Sequence, residues 1–306
     1  MTSPPDLQHK LEAGDFVVTA EVTPPVSCDA DNLLAKARPL KGLADAVNVT
    51  DGAGARAHMS ALAAARLLLE AGIEPILQLA CRDRNRIALQ GDLMGAAALG
   101  IRNLLLLRGD DPSAGDQKEA KPVFDLDSRT LMDTARLMRD EGRLPHGAKV
   151  AGAAGFFLGA ADSPIDPPPG WRPKSLLDKI AAGAQFAQTQ FCMDAGVMRR
   201  YLARLAEAGL GGKLPVLVGV NPLRSAKSAH WMRNHLVGTI IPDALIERLE
   251  RAADPGVEGR RICVEVVEEL STIPGVAGVH VMAPGNDAAV PEVIAEIRRK
   301  VRRAAG

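Results

Sequence analysis

Polar side chains recur along this chain at the ends of short apolar runs. Glu21 closes the first run, just before Pro24-Pro25. Thr50 and Asp51 close the second, Gln78 lies in the third, and Arg108, Gly109 and Asp110 close the fourth. Further on, Gln190 falls near the end of the sixth run, Asn221 follows the seventh and His280 sits within the eighth. These types offer an acid, a second carboxylate and several amides. A carboxyl shielded from water can hold a proton for a leaving nitrogen, and a second carboxylate can steady the positive charge that results. A primary amide can donate and accept at once along the edge of a polar heterocycle. Each residue alone has a structural explanation: Glu21 could pair with an internal cation, Arg108 could brace Asp110, and His280 could be a satisfied core histidine. Their shared position at strand ends is what points to one site.

The runs themselves read as strands: FVVTAEV at 16–22, AVNVT at 46–50, PILQLA at 75–80, NLLLLRG at 103–109, KVAGAAGF at 149–156, FAQTQF at 186–191, LPVLVGV at 214–220 and GVHVMA at 278–283. Each is mostly apolar on both faces, as a parallel strand covered by helices and facing a filled interior must be. A short helix precedes them around Leu7–Ala13. Helical patterns lie between them at 57–72, 87–100, 128–142, 175–183 and 195–209, many ending in glycine, the common left-handed cap. Extra helices are expected between the seventh and eighth strands, at 225–236, 243–253 and 261–270. Strict alternation of eight strands with helices predicts a single-domain (β/α)8 TIM barrel over residues 1–306, with its active site at the C-terminal ends of the strands. The irregular stretches 111–127 and 158–174 would then be mobile loops at the catalytic mouth.

Composition narrows the class further. Of the 306 residues, 47% are hydrophobic, enough for a large core, and 37 basic side chains balance 37 acidic ones. No basic run is interleaved with aromatics, so the footprint of a nucleic-acid binder is missing. Cys28, Cys81, Cys192 and Cys263 show neither a disulfide framework nor metal-ligand spacing, and no metal site is expected. The start, MTSPPDLQHK, lacks a charged and then apolar leader pattern, and no stretch approaches the apolar length that spans a bilayer. These features predict a cytoplasmic protein without membrane or nucleic-acid partners; a homo-oligomer is compatible with them.

One motif points elsewhere. Gly52 to Ala57 fits a loose G-x-G-x-x-A between a strand and a helix, the weak form of a dinucleotide fingerprint. An open dinucleotide-binding sheet would place it after the first strand, with an acid about twenty positions on. Here the following strand ends in Gln78–Ala80, with no acid, so a glycine-rich barrel loop near a ligand is the better reading.

The same strand ends resemble the methylenetetrahydrofolate reductase family. The matching segments run in order: AEVTPP at 20–25, VNVTDGAG at 47–54, NLLLLRGDDP at 103–112, AGAQFAQTQFCMD at 182–194, GVNPLRSAK at 219–227 and VHVMAP at 279–284. The resemblance implies a TIM barrel that reduces 5,10-methylenetetrahydrofolate to 5-methyltetrahydrofolate through FAD, with NADH or NADPH as donor and folate as substrate. It implies Glu21 as general acid on folate N10, Asp110 as the carboxylate that stabilises the 5-iminium cation, and Gln190 as a folate contact. It puts Thr50, Gln78, Arg108, Gly109, Asp110 and Lys179 at flavin-site positions. The chain departs from the family pattern at Gln78, where a histidine is common. It departs again at Asp178, where a basic residue often precedes the lysine, and at Ala226, where a phenylalanine commonly packs on substrate or nicotinamide. A tyrosine common after strand five is matched only by the small residues GAAG at 152–155. The altered positions leave two other readings of the barrel open: a folate-binding methyltransferase, and a non-catalytic partner subunit of a reductase.

Overall fold

The computed structural model describes residues 6–304. Eight parallel strands close into one barrel in sequence order: β1 Val17–Val22, β2 Ala46–Val49, β3 Pro75–Ala80, β4 Asn103–Leu107, β5 Phe157–Asp162, β6 Phe186–Phe191, β7 Val216–Val220 and β8 Val276–Val281. The ring is completed where Val17–Ala20 of β1 run beside Gly278–Val281 of β8. Because successive side chains alternate across a strand, Thr19 and Glu21 of β1 face the interior while Val18, Ala20 and Val22 pack outward in the main core.

The helices form the outer layer: α2 Ala30–Ala37, α3 Ala61–Glu70, α4 Arg86–Ala98, α5 Ser128–Glu141, α6 Lys174–Ala181, α7 Ala195–Glu207 and, last, α11 Val290–Ala304. Their starts are set locally. Asn85 caps α4 by accepting from the Ile87 and Ala88 amides, and Asp127 and Thr130 form a reciprocal capping box on α5. Between β7 and β8 stand α8 Ala226–His235, α9 Asp243–Arg251 and α10 Pro255–Ser271, the three extra helices expected there. Among the described residues, no helix is long and apolar enough to cross a membrane.

The N-terminal end of the barrel is plugged. Helix α1, Leu7–Ala13, places Leu7 and Leu11 against a floor made of Val17, Ala46, Ile76, Leu105, Phe157, Phe186 and Leu217. Burial raises the Glu74 carboxyl above its ordinary range, partly offset by the Leu7 amide at 2.9 Å and the Asn103 side-chain amide at 2.8 Å, which tie the plug to the barrel.

The fifth strand corrects the sequence reading. Residues 149–156 are not a strand; β5 is the next segment, Phe157–Asp162, which pairs with Asn103–Leu106 on one side and Phe186–Thr189 on the other. The glycines of GAAG lack side chains to pack on a pleated surface. Phe157 instead stacks on Phe186, with ring centroids 4.8 Å apart. The loop that follows therefore runs over 163–173 rather than from 158, and the residue at the end of strand five is Asp162, not a small one.

Candidate active site

A cleft of about 970 Å3 opens at the C-terminal ends of the strands. Glu21, Asp110 and Gln190, which come from the ends of β1, β4 and β6, all line it. So do Thr50, Gln78, Arg108, Gly109 and Lys179. These eight residues thus meet in one place. Two polar strand-end residues do not reach it: Asn221 lines a neighbouring pocket beside α8, and His280 lies beneath the cleft, buried.

Glu21 is held from the side. Gln78 Nε2 donates to its Oε2 at 3.2 Å, and His280 Nε2 stands 3.7 Å from the same oxygen. Gln190 is anchored by its neighbours: its Oε1 accepts from the Phe191 amide at 3.0 Å and its Nε2 donates to the Val237 carbonyl at 3.4 Å. One amide hydrogen and one oxygen lone pair remain for a ligand. Arg108 lies over the Phe124 ring, 4.0 Å from guanidinium carbon to centroid, so its charge is kept at the mouth by a cation–π contact. Thr50 is buried, and among the described residues its hydroxyl has no hydrogen-bond partner.

Asp51 is consumed by structure. It pairs with Arg84 and accepts from the Ala80 amide at 2.8 Å, fixing the loop after β2 to the end of β3. Arg82 joins this brace by donating to the Asp51 carbonyl at 3.2 Å. Gly52 has a φ of +63°, and a Cβ there would fall 2.3 Å from Arg82 Nη2. Gly52 of the loose dinucleotide motif thus serves this packing in a closed barrel, while Gly54 supplies a turn at a φ of +63° with open space around it.

Three cleft residues escaped the sequence reading. Asp162, at the end of β5, accepts from the Tyr201 hydroxyl of α7 at 2.5 Å, and Trp171 packs on the Tyr201 ring at 5.4 Å. Burial raises the Asp162 carboxyl above its ordinary value, with Tyr201 and Lys179 pulling it back. Burial also lowers the Lys179 ammonium, opposed by Asp162. Lys179 Nζ donates to the Ala161 carbonyl at 2.5 Å. Asp162 was hidden by the misplaced strand. Tyr201 and Trp171 gave no signal, since one reads as helix core and the other as loop.

Comparison with known proteins identifies the lineage. Residues 6–298 match the family model described as methylenetetrahydrofolate reductase. The chain belongs to that family. It is 27% identical over 277 residues to methylenetetrahydrofolate reductase 2 of Schizosaccharomyces pombe, covering 87% of this chain and 42% of the relative. It is 25% identical over 236 residues to a probable NADPH methylenetetrahydrofolate reductase of Caenorhabditis elegans, covering 76% of this chain and 33% of that protein. The chain thus spans less than half the length of these relatives. Among solved structures, a Clostridium thermocellum protein that binds two copies of 5-methyl-5,6,7,8-tetrahydrofolic acid shares the fold at a TM-score of 0.63 and 14% identity, covering 97% of this chain and 99% of that one. DmoA of Hyphomicrobium sulfonivorans shares it at 0.56 and 12%, covering 93% and 88%.

Against the methylenetetrahydrofolate reductase pattern, the departures acquire structural consequences. Asp178 pairs with Lys174 at 2.6 Å, so this carboxylate offsets a cation at the cleft wall. Ala226 is the first residue of α8, behind the Ser225 cap. Cys81 and Cys192 lie close to strand ends, but burial pushes their thiols up to about 12 and about 11, so neither offers a thiolate. Among the described residues, no group of three or more His, Cys, Asp or Glu side chains is arranged to hold a metal ion.

Proposed function

We propose that this barrel, acting as one catalytic domain, interconverts 5,10-methylenetetrahydrofolate and 5-methyltetrahydrofolate, with NADH or NADPH as hydride partner and FAD as bound cofactor. The observation that carries the reading is the convergence of Glu21, Asp110 and Gln190 from three strand ends on one cleft. Family membership supports it, as do the reductase names of the fission-yeast and nematode relatives. The methyl-folate bound by the Clostridium thermocellum barrel supports a folate as ligand.

The five-membered ring of the substrate must open before its bridging carbon can accept hydride. Glu21 gives a proton to N10; the carbon–N10 bond breaks with its electrons going to nitrogen, and a 5-iminium cation remains. Asp110, a carboxylate at the mouth, stabilises that cation. Gln190 uses its remaining donor and acceptor to orient the pterin edge. Hydride addition to the iminium carbon then gives the N5-methyl product, as the nicotinamide is oxidised. Run backwards, Glu21 takes the proton from N10.

The residues of the cleft fit a bound dinucleotide. The unpartnered Thr50 hydroxyl is a buried group that a ligand would satisfy. Gln78, Arg108, Gly109 and Lys179 also line the cleft and would offer further contacts. When bound, FAD supplies two-electron hydride relay between nicotinamide and substrate.

The reading is tested by assaying purified protein with methylenetetrahydrofolate and NADH, wild type beside Glu21→Gln. The variant is expected to lose about 10²- to 10⁴-fold in kcat, the range of a general acid. Full activity in Glu21→Gln removes the acid role. A visible spectrum without a flavin band in active enzyme removes FAD and leaves the acid role standing.

A further inference from the structure

The cleft wall holds a cation that the proposed chemistry does not use. Arg82 is 5% exposed, and arginine is seldom buried so far unless its charge is paired. It lines the cleft just past the end of β3, and Arg108 follows the neighbouring β4. The loop over the mouth ties the two together. The Val123 amide donates to the Arg82 carbonyl at 2.8 Å, and the next residue, Phe124, carries the ring that Arg108 covers.

A guanidinium has five N–H donors in a fixed plane. Arg82 uses Nη2 for the brace, donating to the Asp51 carbonyl at 3.2 Å and to Asp83 Oδ2 at 3.1 Å. Among the described residues, Nε and Nη1 make no hydrogen bond. The paired acid is shared, because Asp83 also stands 3.5 Å from Arg84 and its side chain is 52% exposed. The better shielded carboxylate, Asp51, is taken by Arg84. Most of the donors on this cation therefore lack an acceptor, an arrangement that costs free energy until a ligand supplies one.

The backbone around the head is bare. Gly52 and Gly109 flank it with φ of +63° and +84°, and a Cβ at Gly109 would stand 3.5 Å from Arg82 Nη1. Glycines let a backbone come close to a ligand. Thr50, the residue before Asp51, adds a buried hydroxyl without a partner among the described residues. A held guanidinium, bare loops and a free hydroxyl on one wall suit an oxyanion.

We propose that Arg82 is a phosphate-binding residue of the cleft, taking an oxygen of a dinucleotide's diphosphate through Nη1. This rests on the reading of the cleft as a dinucleotide site, but not on which dinucleotide, since FAD and NADH both carry a diphosphate. Nη2 keeps its bonds to Asp51 and Asp83, so the head is in place before the ligand arrives and little side-chain freedom is lost on binding. A glutamyl carboxylate of a folate is also an oxyanion. The diphosphate is favoured because its many oxygens can meet Nη1 and the Thr50 hydroxyl together.

The test is calorimetric titration of the full chain, cleared of bound nucleotide, with ADP, adenosine and p-aminobenzoylglutamate. Wild type is expected to bind ADP at least about tenfold tighter than adenosine. Arg82→Met is expected to lose about tenfold for ADP and to stay within about twofold for adenosine. Arg82→Lys, which keeps the charge without the planar head, should recover part of the ADP loss. A residue that only braces the Asp51 loop would weaken both nucleosides alike or neither, and either result overturns the proposal. So does a loss that falls on p-aminobenzoylglutamate and spares ADP, which would assign Arg82 to the folate carboxylate. Where Arg82→Met does not fold, an Arg82→Lys protein with the wild-type ratio of ADP to adenosine affinity overturns it. A wild type that does not prefer ADP removes both the proposal and the dinucleotide site. Active enzyme without a flavin band would instead remove FAD alone and leave the ADP result standing.

Discussion

The Tyr201 hydroxyl donates to Asp162 Oδ2 across 2.5 Å, joining helix α7 to the end of β5 at the wall of the cleft. Burial dominates both groups: it raises the carboxyl, and together with the carboxylate it raises the phenol well above its ordinary range. Tyr201 therefore remains a donor under all working conditions, and Asp162 is an acid whose ionised form costs the fold free energy.

A pH dependence follows from the sign of that shift. A carboxyl raised in the folded state binds more protons there than in the unfolded chain, so stability falls as pH climbs from the ordinary aspartate range through the raised value. Asp162→Asn keeps an oxygen for Tyr201 and lacks this term. Urea unfolding at pH about 4 and about 7 is expected to show the variant gaining on wild type at the higher pH. A stability difference that does not change between the two, or that moves the other way, contradicts the burial argument.

The Asp51–Arg84 pair makes a second prediction. Arg84→Met leaves Asp51, whose side chain is 13% exposed, with the neutral Ala80 amide as its remaining hydrogen-bond donor among the described residues. Breaking such a pair from one side is expected to cost about 3 kcal/mol, because the remaining carboxylate stays largely out of water. The loop carrying Thr50 is anchored by the same pair, so dinucleotide affinity should fall with stability. Unfolding midpoints and a binding titration check the two effects together.

Much of this arrangement was legible in the sequence because a barrel imposes two simple rules. Side chains alternate inward and outward along each strand, and chemistry gathers at the strands' C-terminal ends. Glu21, Thr50, Gln78, Asp110 and Gln190 were found on those rules alone. The fifth strand was not, because KVAGAAGF presents as apolar a run as FLGAAD, and only pairing with β4 and β6 decides between them. Asp162 was lost with it. Tyr201 sits on the buried face of α7 with Met198, Leu202 and Leu205, so helical periodicity reads it as core; its bond to a residue 39 positions away exists only in the folded chain. The inward amides Asn48 and Gln188 were masked by the apolar residues that alternate with them.

The misplaced strand also yields a packing prediction. Gly159 in β5 faces the Phe186 ring, and an added Cβ would stand 2.4 Å from its nearest carbon. Phe186 is fully buried and stacked on Phe157, so the ring cannot retreat without disturbing the barrel floor. Gly159→Ala is expected to destabilise by about 1–3 kcal/mol through overpacking. Adding Phe186→Leu should recover part of that loss. Additive costs in the double variant would mean the two side chains do not compete for one space.

The unpartnered Thr50 hydroxyl separates stability from binding. A buried hydroxyl with no acceptor or donor carries a desolvation cost of about 1–3 kcal/mol in the free protein. Thr50→Val removes the group while keeping the branched shape, so the free variant is expected to be at least as stable as wild type. The bound state should lose about 1 kcal/mol, roughly fivefold in affinity, because a ligand contact made by that hydroxyl is gone. Thermal unfolding of the free protein and titration with FAD and with NADH, taken side by side, read the two quantities. A variant less stable when free, or unchanged in affinity for both probes, would mean that Thr50 serves the fold and faces no ligand.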